Sequence, residues 1–298
     1  MELRQLRYFV AVADHLSFSR AATELHLAQQ SLSQQIGALE RGIGVRLFDR
    51  DTRGTRLTDA GRVFLTEARA VLDRAEHAET VARRADRGEI GRLDLAFLAS
   101  TANYMLPPVV RAVRERFPEL ELTTHDGQID EVVAGLRDGR FDAAFTRPPL
   151  VPDLVTRTLA TEPVCAVLPV GHRLAGRTEL RLADLADDDW VLAPRAAWPP
   201  WHEKYDRDFA DAGFTPRVRQ RATGVSNLLG LVAAGVGVTR LAGSASSIRR
   251  TGVVFVPLAG DRAETVVAWL RGHDGPIHRN LLAIAADLAA TGDLTHGG

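Results

Sequence analysis

A single cysteine, Cys165, stands in this chain of 298 residues. That excludes an intramolecular disulfide and any metal centre built from several thiolates. Cys165 falls in the apolar run Val164-Cys165-Ala166-Val167-Leu168, which reads as a buried strand with the thiol as a small core side chain. Lysine is almost missing as well: Lys204 is the only one, and every other basic residue is arginine, which a coding bias accounts for. Neither sign of charge dominates, with 37 basic against 38 acidic residues. No apolar run reaches the length of a bilayer and the first residues lack the basic-then-apolar pattern of an export signal, so a cytoplasmic protein with no membrane partner is expected. Histidines such as His15, His26, His77, His125 and His172 form no helical ligand pair, and no Gly-x-Ser-x-Gly elbow, phosphate loop or dinucleotide glycine fingerprint occurs. Catalysis, a metal and a cofactor are therefore not expected.

What the chain does have is concentrated near its start. Leu3, Leu6, Val10 and Ala13 recur at helical spacing, which predicts an amphipathic helix over 2–15. Ser17 is placed to cap a second helix whose Ala21, Ala22 and Leu25 give it a small face, ending near His26. After a short turn, Leu32, Ile36 and Leu39 fall at i, i+4 and i+7 of a third helix, 29–41, and leave Gln29, Gln30, Ser33 and Gln34 on its other face. Amide and hydroxyl side chains at the N-terminal end of such a helix are the groups that can donate and accept at base edges in a major groove. Arg46, Arg50, Arg53 and Arg56 then surround a turn between strand candidates 46–48 and 55–57, where guanidinium groups can fork onto phosphate. The order of parts is that of a winged helix-turn-helix. Residues 1–92 hold 15 arginines against 13 acidic residues, so attraction to DNA must be local and must lean on specific contacts made in two copies.

The lines AATELHLAQQSLSQQIGALE, GVRLFDR and RLTDAG, running without a gap from about Leu3 to Gly61, closely resemble the N-terminus of LysR-type transcriptional regulators. The resemblance implies that the third helix reads an operator in double-stranded DNA, with Gln29 and Ser33 at base edges, Gln30 and Gln34 beside them, and Arg50 and Arg53 on the backbone or in the minor groove. Gln30 departs from the proline most common there in the family, so the operator sequence does not transfer from a relative.

Thr58 and Asp59 open a long helix, a hydroxyl cap followed by a negative charge at the positive end of the helix dipole. Phe64, Ala68, Val71, Ala75, Ala78, Ala82 and Ala85 follow at alternating spacings of four and three, a heptad seam. A polar helix of about 29 residues, roughly 43 Å, is long for one domain to cover, so pairing with a second copy is expected, in a homodimer or homotetramer. Gly88 and Gly91 end it.

Beyond Gly91, strand and helix patterns alternate, with strands near 93–97, 120–123, 141–145, 163–168, 190–193, 217–221, 236–240 and 265–270. Helices are expected near 106–117, 129–136, 201–212, 226–234 and 276–290. Alternation of this kind predicts an α/β domain with a mainly parallel sheet. The segment Ser226 to Leu241, SNLLGLVAAGVGVTRL, and chain crossings near 147–162 and 257–265 carry the family likeness here. It implies a two-lobed effector domain of the periplasmic-binding-protein type 2 class. The domain reading is thus a winged helix-turn-helix at 1–58, a linker and dimerisation helix at 59–90, and an effector-binding domain at 91–298. Its first lobe spans about 91–160 and 266–298, and its second about 161–265.

Ligands of open α/β sheets bind beyond the carboxyl ends of strands, where helix N-termini face anions. Ser100, Thr101 and Arg147 in the first lobe, and Arg195, Trp198 and Ser226 in the second, are the expected effector contacts. Trp198 and Trp201 put an aromatic carboxylate among the candidates. The function expected is sequence-specific regulation of transcription, with operator binding or DNA bending adjusted by a small molecule between the lobes and RNA polymerase as a candidate partner. The competing class is a cytoplasmic small-molecule-binding protein or metabolic enzyme carrying an accessory DNA-binding module.

Overall fold

The computed structural model describes residues 1–51 and 54–291 and divides the chain into two compact units, Met1–Arg84 and the chain from Ala85 on. The first holds α1 (Leu3–His15), α2 (Phe18–Glu24), α3 (Gln29–Ile43), the antiparallel hairpin β1 (Phe48–Asp51) and β2 (Gly54–Leu57), and all but the last turn of α4 (Asp59–Asp86). Ser17 starts α2 by accepting the amide hydrogen of Arg20 on its hydroxyl. The stripes read from the sequence form one core: Leu6, Phe9 and Val12 of α1 meet Leu32, Ile36 and Leu39 of α3 under Leu47 and Phe48. Burying each of these large side chains contributes about 1.5–3 kcal/mol. The first strand begins two residues later than its expected place at 46–48. Glu40 Oε1 accepts the amide hydrogens of Leu47 and Phe48, at 2.8 and 3.1 Å, which ties this stretch to α3 before the hairpin pairing starts.

Thr58 caps α4, its hydroxyl accepting from Gly61 N and donating to Arg46 O, both at 2.8 Å. The heptad residues of α4 divide into two groups. Phe64 packs against the unit's own core and Ala68 is buried in it, whereas Val71 is 41% exposed, Ala75 half-buried and Ala78 exposed.

The second unit is built from β3 (Gly91–Leu98), α5 (Ala99–Arg116), β4 (Leu120–Gly127), α6 (Ile129–Arg137), β5 (Ala143–Thr146) and β6 (Leu154–Pro169). It continues through β7 (Asp189–Leu192), α7 (Pro199–Asp211), β8 (Arg217–Arg221), α8 (Val225–Ala233), β9 (Thr239–Ala242), β10 (Val253–Leu270) and α9 (Pro276–Thr291). One sheet has the order β4-β3-β5-β10-β6-β9, and β7 pairs with β8 in another. The expected mainly parallel sheet is corrected here to a mixed one: β3 is parallel to β4 and β5, but β10 is antiparallel to β5 and β6, and β6 to β9. The reason lies in the segments taken as crossings. β6 leaves the first lobe for the second, β10 returns, and two crossings that lie side by side run in opposite directions. The ladder is irregular between Pro257 and Arg262.

Each lobe has its own core. Leu95, Phe97, Met105, Val109 and Phe145 fill the first, and Leu168, Leu185, Trp190, Phe209 and Val256 the second. Cys165 lies buried on β6, and burial pushes its thiol above the ordinary range. Among the described residues no helix is long and apolar enough to cross a membrane.

Candidate functional site

On the first unit, the amphipathic pattern of α3 turns its apolar stripe inward and leaves Gln29, Gln30 and Gln34 exposed, with Ser33 half-buried between them. Two of these side chains are already held. Ser19 Oγ donates to Gln29 Oε1 at 3.0 Å, and Arg50 Nη1 donates to Ser33 Oγ at 2.8 Å. Arg50, an expected backbone or minor-groove contact, lies across α2 and α3. Its guanidinium sits 4.1 Å above the centre of the Phe18 ring and 3.9 Å from Glu40. Arg53 lies outside the described residues.

The second unit contains a cavity of about 570 Å³ between the lobes. Leu98, Gln128 and Gly224, the residues preceding α5, α6 and α8, all line it, so three helix N-termini with their partial positive charge open toward it. Ser100 and Arg147, expected contacts, are in the wall. Arg147 is 9% exposed. Its Nη2 donates to Glu162 Oε1 at 2.7 Å, Ser244 Oγ at 3.1 Å and the Tyr104 hydroxyl at 3.2 Å, while its buried Nε has no partner among the described residues. Burial raises the pKa of Tyr104 despite the adjacent Arg147.

The other expected contacts lie elsewhere. Thr101 is fully buried, its hydroxyl 2.9 Å from the carbonyl oxygens of Leu98 and Phe145. Arg195 is exposed and pairs with Asp206 at 2.7 Å. Trp198 is buried and donates its indole hydrogen to Pro149 O at 2.8 Å. Ser226 belongs to a separate surface depression beside Asn227 and Arg250. Trp201 does line the cavity, donating to Pro148 O.

Sequence reasoning missed the charged centre of the second lobe. Arg240, 3% exposed, lines the cavity, donates to Asp208 at 2.8 Å and pairs with Asp261, beneath the Tyr205 ring at 4.7 Å. Burial pushes the Asp261 carboxyl above its usual range, and Arg240 and Lys204 oppose that. The available signal was a charge inside the otherwise apolar stretch Val236 to Leu241, where an unpaired arginine would be too costly to keep. Burial lowers the pKa of His202 in the same wall, which favours its neutral form. The cavity's charged lining is therefore Arg147, Lys204, Arg207, Arg240 and Arg262 against Glu264.

Two family models match the chain: "Bacterial regulatory helix-turn-helix protein, lysR family" over residues 3–62 and "LysR substrate binding domain" over residues 86–290. The chain is 33% identical to the HTH-type transcriptional regulator AlsR of Bacillus subtilis, covering 96% of this chain and 95% of that protein. It is 36% identical to the Hca operon transcriptional activator HcaR of Escherichia coli, covering 98% and 99%. Among solved structures it is similar to CbnR, a LysR family transcriptional regulator, with a TM-score of 0.81 at 28% identity over 96% of this chain and all of that one. Full-length CbnR complexed with its target DNA gives 0.80 at 28% identity over 97% of this chain and 100% of that one.

Proposed function

Because the chain belongs to the LysR family of bacterial transcriptional regulators, we propose that it binds an operator through α3 and that a small carboxylate in the interlobe cavity adjusts this binding. The observation that carries the reading is the row Gln29, Gln30, Ser33 and Gln34 on an exposed helix face. It stands in a chain similar over nearly its whole length to a regulator solved on DNA. Three of the five cations in the lining are already paired, Arg147 with Glu162, Lys204 with Asp208, and Arg240 with Asp208 and Asp261, so the preference for an anion comes from the three helix N-termini and from Arg207 and Arg262 against Glu264. Arg147 with its spare Nε and Ser100 at the start of α5 are its nearest partners. An effector that binds one arrangement of the lobes better than another supplies a coupling free energy to DNA binding, of the usual order of 1–3 kcal/mol. A change in operator bending would then alter access of RNA polymerase. The protein acts on chromosomal DNA in the cytoplasm.

Purified full-length protein is expected to retard the DNA beside its own gene selectively, less so as salt rises, and a panel of small carboxylates is expected to contain one that changes the retardation. Arg147→Ala should lose that response by tenfold or more, at the order expected for one charged contact, and keep the retardation. An unchanged response would move the ligand elsewhere, and turnover of a metabolite without DNA retention would make the chain an enzyme.

The same reading includes pairing of α4 with a second copy through Val71, Ala75 and Ala78, the part of the heptad seam that the first unit's core leaves uncovered. Ala68 and Phe64 contribute to that unit instead. Val71→Glu combined with Ala75→Glu should leave monomers in light scattering, because like charges then face each other across a seam of small residues. A dimer of undiminished mass would remove the helix from the interface.

A further inference from the structure

Gln29 and Ser33 stand four residues apart on α3, about 6 Å along its axis, on the face left open by the core. Their polar atoms are not equally free. Gln29 Oε1 accepts from the Ser19 hydroxyl at 3.0 Å, which engages one of its two lone pairs, holds the oxygen end of the amide and leaves both hydrogens of the NH2 group to offer. Ser33 Oγ accepts from the Arg50 guanidinium at 2.8 Å, which engages one of its two lone pairs and leaves its hydrogen to donate. Arg50 is in turn fixed from two sides, by the Phe18 ring at 4.1 Å and by Glu40 at 3.9 Å, and Glu40 is anchored on the amides of Leu47 and Phe48. A charged donor also polarises the hydroxyl it bonds to and strengthens it as a donor.

We infer that Ser19 and Arg50 are positioning residues that bias Gln29 and Ser33 toward donating hydrogen bonds, so that this protein prefers keto-bearing bases, guanine or thymine, at the two positions these side chains face. In the major groove guanine O6 and thymine O4 accept, whereas adenine N6 and cytosine N4 donate. Purine N7 accepts in both adenine and guanine, so discrimination rests on the exocyclic group. A donor placed against an amino group leaves two donors facing each other and unpaired. Glutamine freed from Ser19 would use both ends of its amide and accept adenine through N6 and N7. The inference rests on the proposed reading of DNA by α3 and adds its direction of hydrogen bonding.

The test is selection by the full-length protein from a duplex library with a randomised core, followed by sequencing, for the wild type, Gln29→Ala, Ser19→Ala, Ser19→Thr and Arg50→Ala. Gln29→Ala identifies the motif position that Gln29 reads. The wild type is expected to show guanine or thymine there with about tenfold preference over adenine or cytosine, the scale of one base-edge contact. Ser19→Ala should admit adenine at that position alone and leave the other positions unchanged, Ser19→Thr should restore the preference by keeping the hydroxyl, and Arg50→Ala should relax a second, neighbouring position. A uniform loss across all sequences with Ser19→Ala, at unchanged preference, would make Ser19 a fold or phosphate contact and overturn the inference. So would adenine or cytosine at the wild-type position. A wild type that enriches no motif overturns the reading of DNA itself, whereas a motif indifferent to Ser19 and Arg50 overturns only their assigned role.

Discussion

Arg240→Ala is expected to lower the stability of the second unit by about 3–5 kcal/mol, the loss that follows when one member of a buried ion cluster is removed. The guanidinium, with its side chain 1% exposed, pairs with both Asp208 and Asp261 and lies against the rings of Tyr205 and Phe209. Truncation leaves two carboxylates with Lys204, whose ammonium group reaches Asp208 at 2.8 Å, and opens a void under two aromatic rings. A domain's whole stability is about 5–15 kcal/mol, so the change should move the melting of this unit by roughly 10 °C. The measurement is thermal unfolding of the full chain, with the helix-turn-helix unit as internal reference. The cost arises from stranded charge, so combining Arg240→Met with Asp208→Asn and Asp261→Asn should recover most of it. A loss below about 1 kcal/mol in the single variant, the level of an exposed pair, would show that water reaches the cluster.

The second large effect belongs to the first unit. Gly61→Ala should destabilise it by about 2–3 kcal/mol, the range for overpacking, although alanine in a helix is by itself favoured over glycine by about 1 kcal/mol. A Cβ on Gly61 would lie 2.1 Å from the carbonyl oxygen of Leu47 and 3.0 Å from Leu57 Cδ2. The clash is with backbone, and that carbonyl already accepts the amide hydrogen of Thr58 at 3.0 Å. Relief requires α4 to move off the hairpin, so DNA affinity should fall together with melting temperature. Gly42→Ala supplies the control: it lies within α3, and apart from its chain neighbours and the helix's own backbone no atom of the described residues lies within 4 Å of its Cβ position, so there the helix preference should appear as a gain. Equal effects at the two positions would mean that α4 does not pack on the hairpin as described.

How far such features could be read in advance depended on their range along the chain. The stripes Leu32, Ile36 and Leu39 and the cap at Ser17 involve neighbours within a few turns, and α1, α3 and the hairpin lie within a few residues of where periodicity put them. Ser100 and Thr101 show where that reasoning stops. Both follow β3, but successive residues of a helix point about 100° apart, so one enters the cavity wall while the other turns to carbonyl oxygens of its own lobe. Arg50 was legible as a cation near the turn, yet its bond to Ser33 required the hairpin to fold back on α3.

By itself the sequence determined the elements and their order, the two-part organisation and the polar row on the third helix, because hydrophobic period and capping chemistry act between residues close in the chain. Tertiary structure alone decided that β6 and β10 run antiparallel, that Arg240 sits among Asp208, Asp261 and Tyr205, and that Ser19 and Arg50 donate to Gln29 and Ser33. Those contacts join residues from 10 to more than 100 positions apart. Their partners are selected by which side chains the packed backbone brings within hydrogen-bonding reach, a quantity that no local pattern of residue types encodes.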